Sequence, residues 1–102
     1  MSNMNIVEIK KILEKNNNYL RQTFHVREIG IFGSFVKGEE KIDNDSDIDI
    51  LITFGKGYKD FFNYIRLKYY LAELLGREVD LVIKEAVKPR LKERIFREVE
   101  YV

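Results

Sequence analysis

Residues 47–54, Asp47-Ile48-Asp49-Ile50-Leu51-Ile52-Thr53-Phe54, constrain this chain more than any other stretch. Side chains two apart on a strand point to the same face. Ile48, Ile50, Ile52 and Phe54 therefore form one apolar face, and Asp47 and Asp49 project together from the other. The two acidic Cα atoms would stand roughly 6.6 Å apart. Like charges on one face repel, and burial sharpens the repulsion. A divalent cation removes it, and Mg²⁺ suits a few carboxylates completed by waters and phosphate oxygens. The plainer alternative is that both acids face water at a strand end.

Neighbouring elements follow from periodicity. Asn5 with Glu8 has capping-box form, and Ile6, Ile9, Leu13 and Leu20, helped by Ile12, recur at helical spacing. Arg27 to Phe32 reads as a strand stopping at Gly33-Ser34. Gly55 and Gly57 end the 47–54 strand. Tyr58 to Leu75 then reads as a long helix with Phe61, Phe62, Ile65, Tyr69 and Ala72 on one stripe. Phe61, Phe62, Tyr64, Tyr69 and Tyr70 are expected in the core, but the apolar arc is wider than one small sheet can cover. Part of it is thus a candidate partner interface. Gly76 suits a helix end, Glu78 to Lys84 a third strand, and Pro89 the first turn of a last helix carrying Leu91, Ile95, Val99 and Val102. The expected order is α-β-β-α-β-α. This is an α/β (α+β) fold, a small mixed β-sheet with helices packed against it.

At 102 residues, with no linker-like segment, the chain is expected to be a single domain over 1–102. It has no cysteine and one histidine, His25, which excludes disulfides, thiolate chemistry and multi-histidine metal sites. His25 precedes a strand and is read as structural. The net charge of +1 gives no reason to expect direct nucleic-acid or membrane binding. No apolar run or signal segment is visible, so a cytoplasmic location is expected. The charge is uneven: residues 39–55 carry six acids against Lys41 alone, between two flanks of net +3.

Asp80 lies within Val79-Asp80-Leu81-Val82-Ile83, whose apolar neighbours predict a buried strand. A carboxylate there needs a partner: an arginine, or a metal shared with Asp47 and Asp49. Gly33-Ser34 closes the first strand. Glycine permits close backbone approach, serine adds a hydroxyl, and Lys37 is near enough to add a cation, so this corner is a candidate phosphate site or else an ordinary turn. Together these are parts of a metal-dependent nucleotidyl transferase. Asp43, Asp45 and Asp47 have EF-hand spacing, but Ile48 and Phe54 stand where that loop needs Gly and Glu.

Gly33-Ser34-Phe35-Val36-Lys37-Gly38, Ser46-Asp47-Ile48-Asp49-Ile50-Leu51-Ile52 and Leu75-Gly76-Arg77-Glu78-Val79-Asp80-Leu81-Val82 resemble the minimal nucleotidyltransferase (MNT, MntA-like) family of the DNA polymerase β-like superfamily. The segment Leu91 to Val102 also resembles that family's tail. One departure is the spacing: twelve residues, Phe35 to Ser46, separate Gly-Ser from Asp-x-Asp, where the family usually has ten. The resemblance implies an ATP-dependent nucleotidyltransferase acting as antitoxin to a HEPN-domain toxin, moving AMP onto a toxin tyrosine. It implies that Gly33 and Ser34, with Lys37 nearby, hold the triphosphate. Asp47 and Asp49 would ligate Mg²⁺, and Asp80 would complete a second ion's site and help deprotonate the acceptor. Any oligomer would form through the partner. The competing expectation is a non-catalytic module that silences its partner by contact.

Overall fold

The computed structural model describes residues 5–33, 36 and 47–102. The Asn5–Glu8 capping box is formed, with the Glu8 N–H donating to Asn5 Oδ1 (3.0 Å) and the Asn5 N–H to Glu8 Oε1 (3.1 Å). It opens α1 (Ile6–Lys15), and α2 (Asn17–Phe24) follows at once. The expected single helix is two, because the Asn16 side chain donates back to the Ile12 carbonyl at 2.8 Å, a local bond that competes with the helical ladder. His25 ends α2 in the left-handed region (φ 60°) and stacks on Tyr58 with ring centroids 3.5 Å apart.

Strands β1 (Val26–Phe32) and β2 (Ile48–Phe54) pair antiparallel, with Ile31 opposite Ile50 and Phe32 opposite Asp49. Strand β3 (Val79–Ile83) pairs parallel to β2, a pairing that needs a crossover. Helix α3 (Phe61–Leu75) supplies it. A 3₁₀ turn (Lys84–Ala86) and α4 (Pro89–Glu98) lead to β4 (Glu100–Tyr101), which pairs antiparallel to β1. The sheet order is β3-β2-β1-β4. Ile9, Leu13, Leu20 and Phe24 from the first two helices and Leu67, Leu71 and Leu75 from α3 pack on Ile29, Ile31, Ile48, Ile50 and Ile52.

Three expectations change. The chain after Glu98 becomes a fourth strand, since Val99 takes extended angles (φ −65°, ψ 137°), so Val99 and Val102 leave the helix face and the Val102 N–H pairs with the Ile29 carbonyl. Helix α3 starts at Phe61 because Asp60, extended, accepts from the Asn63 N–H at 2.9 Å as an N-cap. Its buried stripe is Asn63, Leu67, Leu71 and Leu75, while Phe61, Phe62 and Tyr69 are 70, 77 and 70% exposed. The core-facing stripe is therefore four-residue-spaced leucine; of the aromatics expected in the core, Tyr64 and Tyr70 pack against it half-buried, and Phe61, Phe62 and Tyr69 face outward.

Candidate active site

The end of β1, the start of β2 and the start of β3 meet at one end of the sheet. Register does the positioning: Asp49 stands beside Phe32 of β1 on one side and beside Asp80 of β3 on the other. Gly33, next after Phe32, has φ +82° and sits against the Asp49 carboxylate. A Cβ there would collide with Asp49 Oδ2 and lie 2.9 Å from Cγ. Glycine is thus required twice, for its left-handed backbone and for the space the carboxylate fills.

Asp49 is half-buried, and burial is the largest cause that pushes its carboxyl from the ordinary 3.8 up to about 6. The charge of Asp80 and a side-chain hydrogen bond with it come next, followed by the charges of Asp47 and Glu98. Two carboxyls side by side in register repel one another when charged, so the pair calls for positive charge. A divalent cation meets that demand, and an oxygen-only donor set is what Mg²⁺ accepts. Among the described residues, no three Asp, Glu or His side chains are gathered tightly enough to form a metal cage. The site is a pair in register, Asp49 and Asp80, with Asp47 acting on Asp49 through its charge.

Asp80 is exposed, which corrects the expectation of a buried carboxylate. Val79 and Leu81 are buried, but β3 is an edge strand and alternation turns Asp80 to the open face. Asp47 is exposed just ahead of β2. Ser34 and Lys37 lie outside the described residues. His25 sits at the far end of β1, about 20 Å away by strand rise, and takes no part.

Sequence reading missed the wall that α4 builds opposite the acids. Leu91, Arg94, Ile95 and Glu98, at helical spacing, line a cleft of about 220 Å³ with Phe32, Gly33 and Asp49. Leu91 and Ile95 announced that face of α4, but no local motif marks Glu98 or Arg94 as its polar members. Among the described residues, no helix is long and apolar enough to cross a membrane.

Residues 6–102 match the family described as nucleotidyltransferase domain. A relative from Thermococcus cleftensis named protein adenylyltransferase MntA is 44% identical over 102 residues, covering 100% of both chains. A solved structure described provisionally as a minimal nucleotidyltransferase superposes with TM-score 0.79 at 31% identity, covering 98% of each chain. A solved toxin–antitoxin structure with AMP-PNP superposes with TM-score 0.66 at 26% identity, covering 96% of this chain and 72% of that one. A family match over almost the whole chain, with a full-length relative at that identity, means that this protein belongs to the nucleotidyltransferase family, among its minimal, MntA-like members, and is an enzyme of that class.

Proposed function

We propose that this protein transfers AMP from ATP to a hydroxyl, a tyrosine, of a HEPN-type toxin and so acts as its antitoxin. The observation that carries the reading is the Asp49–Asp80 pair in register beneath Gly33, on a chain 44% identical to a protein adenylyltransferase over its full length. The toxin–antitoxin structure with an ATP analogue supports the nucleotide and the kind of partner.

In this reading Gly33 and Ser34, with Lys37, would cradle the triphosphate, and Asp49 and Asp80, with Asp47 alongside, would hold Mg²⁺, as two ions. Bound there, Mg²⁺ would neutralise charge on the phosphates and orient the leaving group. The acceptor oxygen attacks the α-phosphorus, and the bond from that phosphorus to the pyrophosphate bridging oxygen breaks. The hydroxyl proton passes to Asp80, the exposed member of the pair and so the one an incoming protein can reach.

The test is to mix the protein with its cognate toxin and ATP and weigh the toxin by mass spectrometry. A gain of one AMP with wild type, absent with Asp80→Asn although the complex still forms, is the expected result. A second reading, silencing by contact alone, draws on the exposed Phe61, Phe62 and Tyr69 of α3, which offer a contact surface independent of the acids. It prevails if neither protein adds mass while both silence the toxin.

A further inference from the structure

The cleft between the acids and α4 has an uneven charge inventory. Asp49 and Glu98 line it with carboxyl groups, and Arg94 is the basic side chain lining it among the described residues. Arg94 is 68% exposed and Glu98 14%, so Glu98 forms the floor and the guanidinium stands at the mouth. Arg94 Nε lies 3.7 Å from Glu98 Oε1, one turn away, which places the guanidinium on the cleft side of α4. At about 220 Å³ the space is below the roughly 300–1,000 Å³ that encloses a drug-sized ligand, yet it suits a diphosphate group. One wall is Gly33, at the corner where a phosphate can approach backbone closely.

A polyphosphate cannot settle between two carboxylates unless each meets a positive charge. A cation at the Asp49–Asp80 pair answers one of them, and Arg94 answers the other. Its planar fork presents paired N–H donors that match phosphate oxygens.

We propose that Arg94, projecting from α4 across the cleft from Gly33 and Asp49, binds the β- and γ-phosphates of ATP and thereby holds the pyrophosphate leaving group. The assignment rests on the nucleotidyltransferase reading and deepens it, giving α4 a substrate-binding role. Glu98 is the carboxylate beside the guanidinium before phosphate competes for it.

Arg97 offers a control on the same helix with the same charge. It pairs with Glu93 at 3.3 Å, with both side chains largely exposed, and does not line the cleft. Calorimetric titration with ATP, pyrophosphate and AMP, each with Mg²⁺, would be run on wild type, Arg94→Ala, Arg94→Lys and Arg97→Ala. The proposal expects Arg94→Ala to weaken ATP and pyrophosphate by roughly tenfold or more, as for loss of a charge-assisted pair, and AMP by less than twofold. Arg94→Lys should fall between, since it keeps the charge and loses the fork, and Arg97→Ala should match wild type. Unchanged ATP affinity in Arg94→Ala overturns the assignment, as does an equal loss for AMP, or a loss in Arg97→Ala as large as in Arg94→Ala. If wild type binds ATP yet modifies no protein, the adenylylation reading fails while the Arg94 contrast still decides this one. If wild type binds no ATP, both fall.

Discussion

The Gly33 backbone and the Asp49 carboxylate occupy what would be a single side chain's space, so neither can change alone. Gly33→Ala would place a Cβ into Asp49 Oδ2 and force an L-residue into φ +82°. The left-handed conformation alone costs about 1–2 kcal/mol, and the displaced carboxylate should take nucleotide binding with it. Chemical denaturation and nucleotide titration of the variant check the two losses separately, and a variant with wild-type nucleotide affinity would contradict the arrangement. Asp49 also makes a pH prediction. Its carboxyl titrates near 3.8 when unfolded and at about 6 when folded, so between those values the native state holds more protons. Stability contributed by this group is therefore present below pH 3.8, is lost as pH rises towards 6, and stays lost above. Asp49→Asn, which keeps the shape and cannot ionise, should gain about 1 kcal/mol at pH 7.5, after discounting a half-exposed group for screening. Near pH 4 it should gain almost nothing. Urea midpoints of both proteins at the two pH values measure this, and an equal difference at both would refute it.

At the scale of elements, the start of α3 is fixed by one buried amide, while Tyr64, bonded to the Leu81 carbonyl at 2.6 Å, ties its first turns to β3. Asn63 Nδ2 donates to the Phe24 carbonyl at 2.8 Å and to the Tyr58 carbonyl at 3.0 Å, tying the helix start to the end of α2. Asn63→Leu would leave those carbonyls without that donor, at about 1–3 kcal/mol by the usual cost of buried unsatisfied groups. Phe62→Ser, on the exposed face, should stay within about 0.5 kcal/mol of wild type in the same melt. The contrast explains which parts of the fold were legible in the sequence. Strands β1 and β2, the Asn5 cap, the Gly76 helix end and Pro89 at the start of α4 are written in local chemistry, and the structure places each within about a residue. The face of α3 was misread because apolar side chains run around most of its circumference, and which arc is buried depends on a sheet assembled from distant strands. Asp80 was misread for the same kind of reason. Apolar flanks show that a strand has a buried face, but only the sheet order shows that β3 is an edge, with Asp80 on its open side. The Asp49–Asp80 pairing is likewise a fact of parallel register between segments thirty residues apart, and no local pattern encodes it.

On the scale of the whole molecule, the cleft exists only while α4 is held beside the sheet, and β4 is the fastening. Its backbone pairs with β1 at Gly30 and Ile31, the Val102 N–H reaches the Ile29 carbonyl at 2.9 Å, and Lys10 of α1 meets Glu100 at 3.4 Å. The exposed ion pair adds little. The close contact is Gly30, where a Cβ would stand 2.8 Å from Val99 Cγ2 and 3.1 Å from both the Glu100 carbonyl oxygen and Tyr101 Cδ1. Gly30 is thus the seat on which the segment after α4 rests. Gly30→Ala should push that segment off β1 and carry α4, with Arg94 and Glu98, away from Gly33 and Asp49. The acids themselves, in register between β2 and β3, should stay side by side. The expected signature is a moderate loss of stability, about 1–3 kcal/mol as for overpacking, with a nucleotide defect that follows the polyphosphate: ATP affinity falls and AMP affinity holds. Hydrogen exchange would show faster opening at Tyr101 and Val102 with the β2–β3 amides still protected. If Gly30→Ala leaves ATP affinity intact while exchange at β4 rises, α4 keeps its place without the strand, and the fastening role assigned to β4 is wrong.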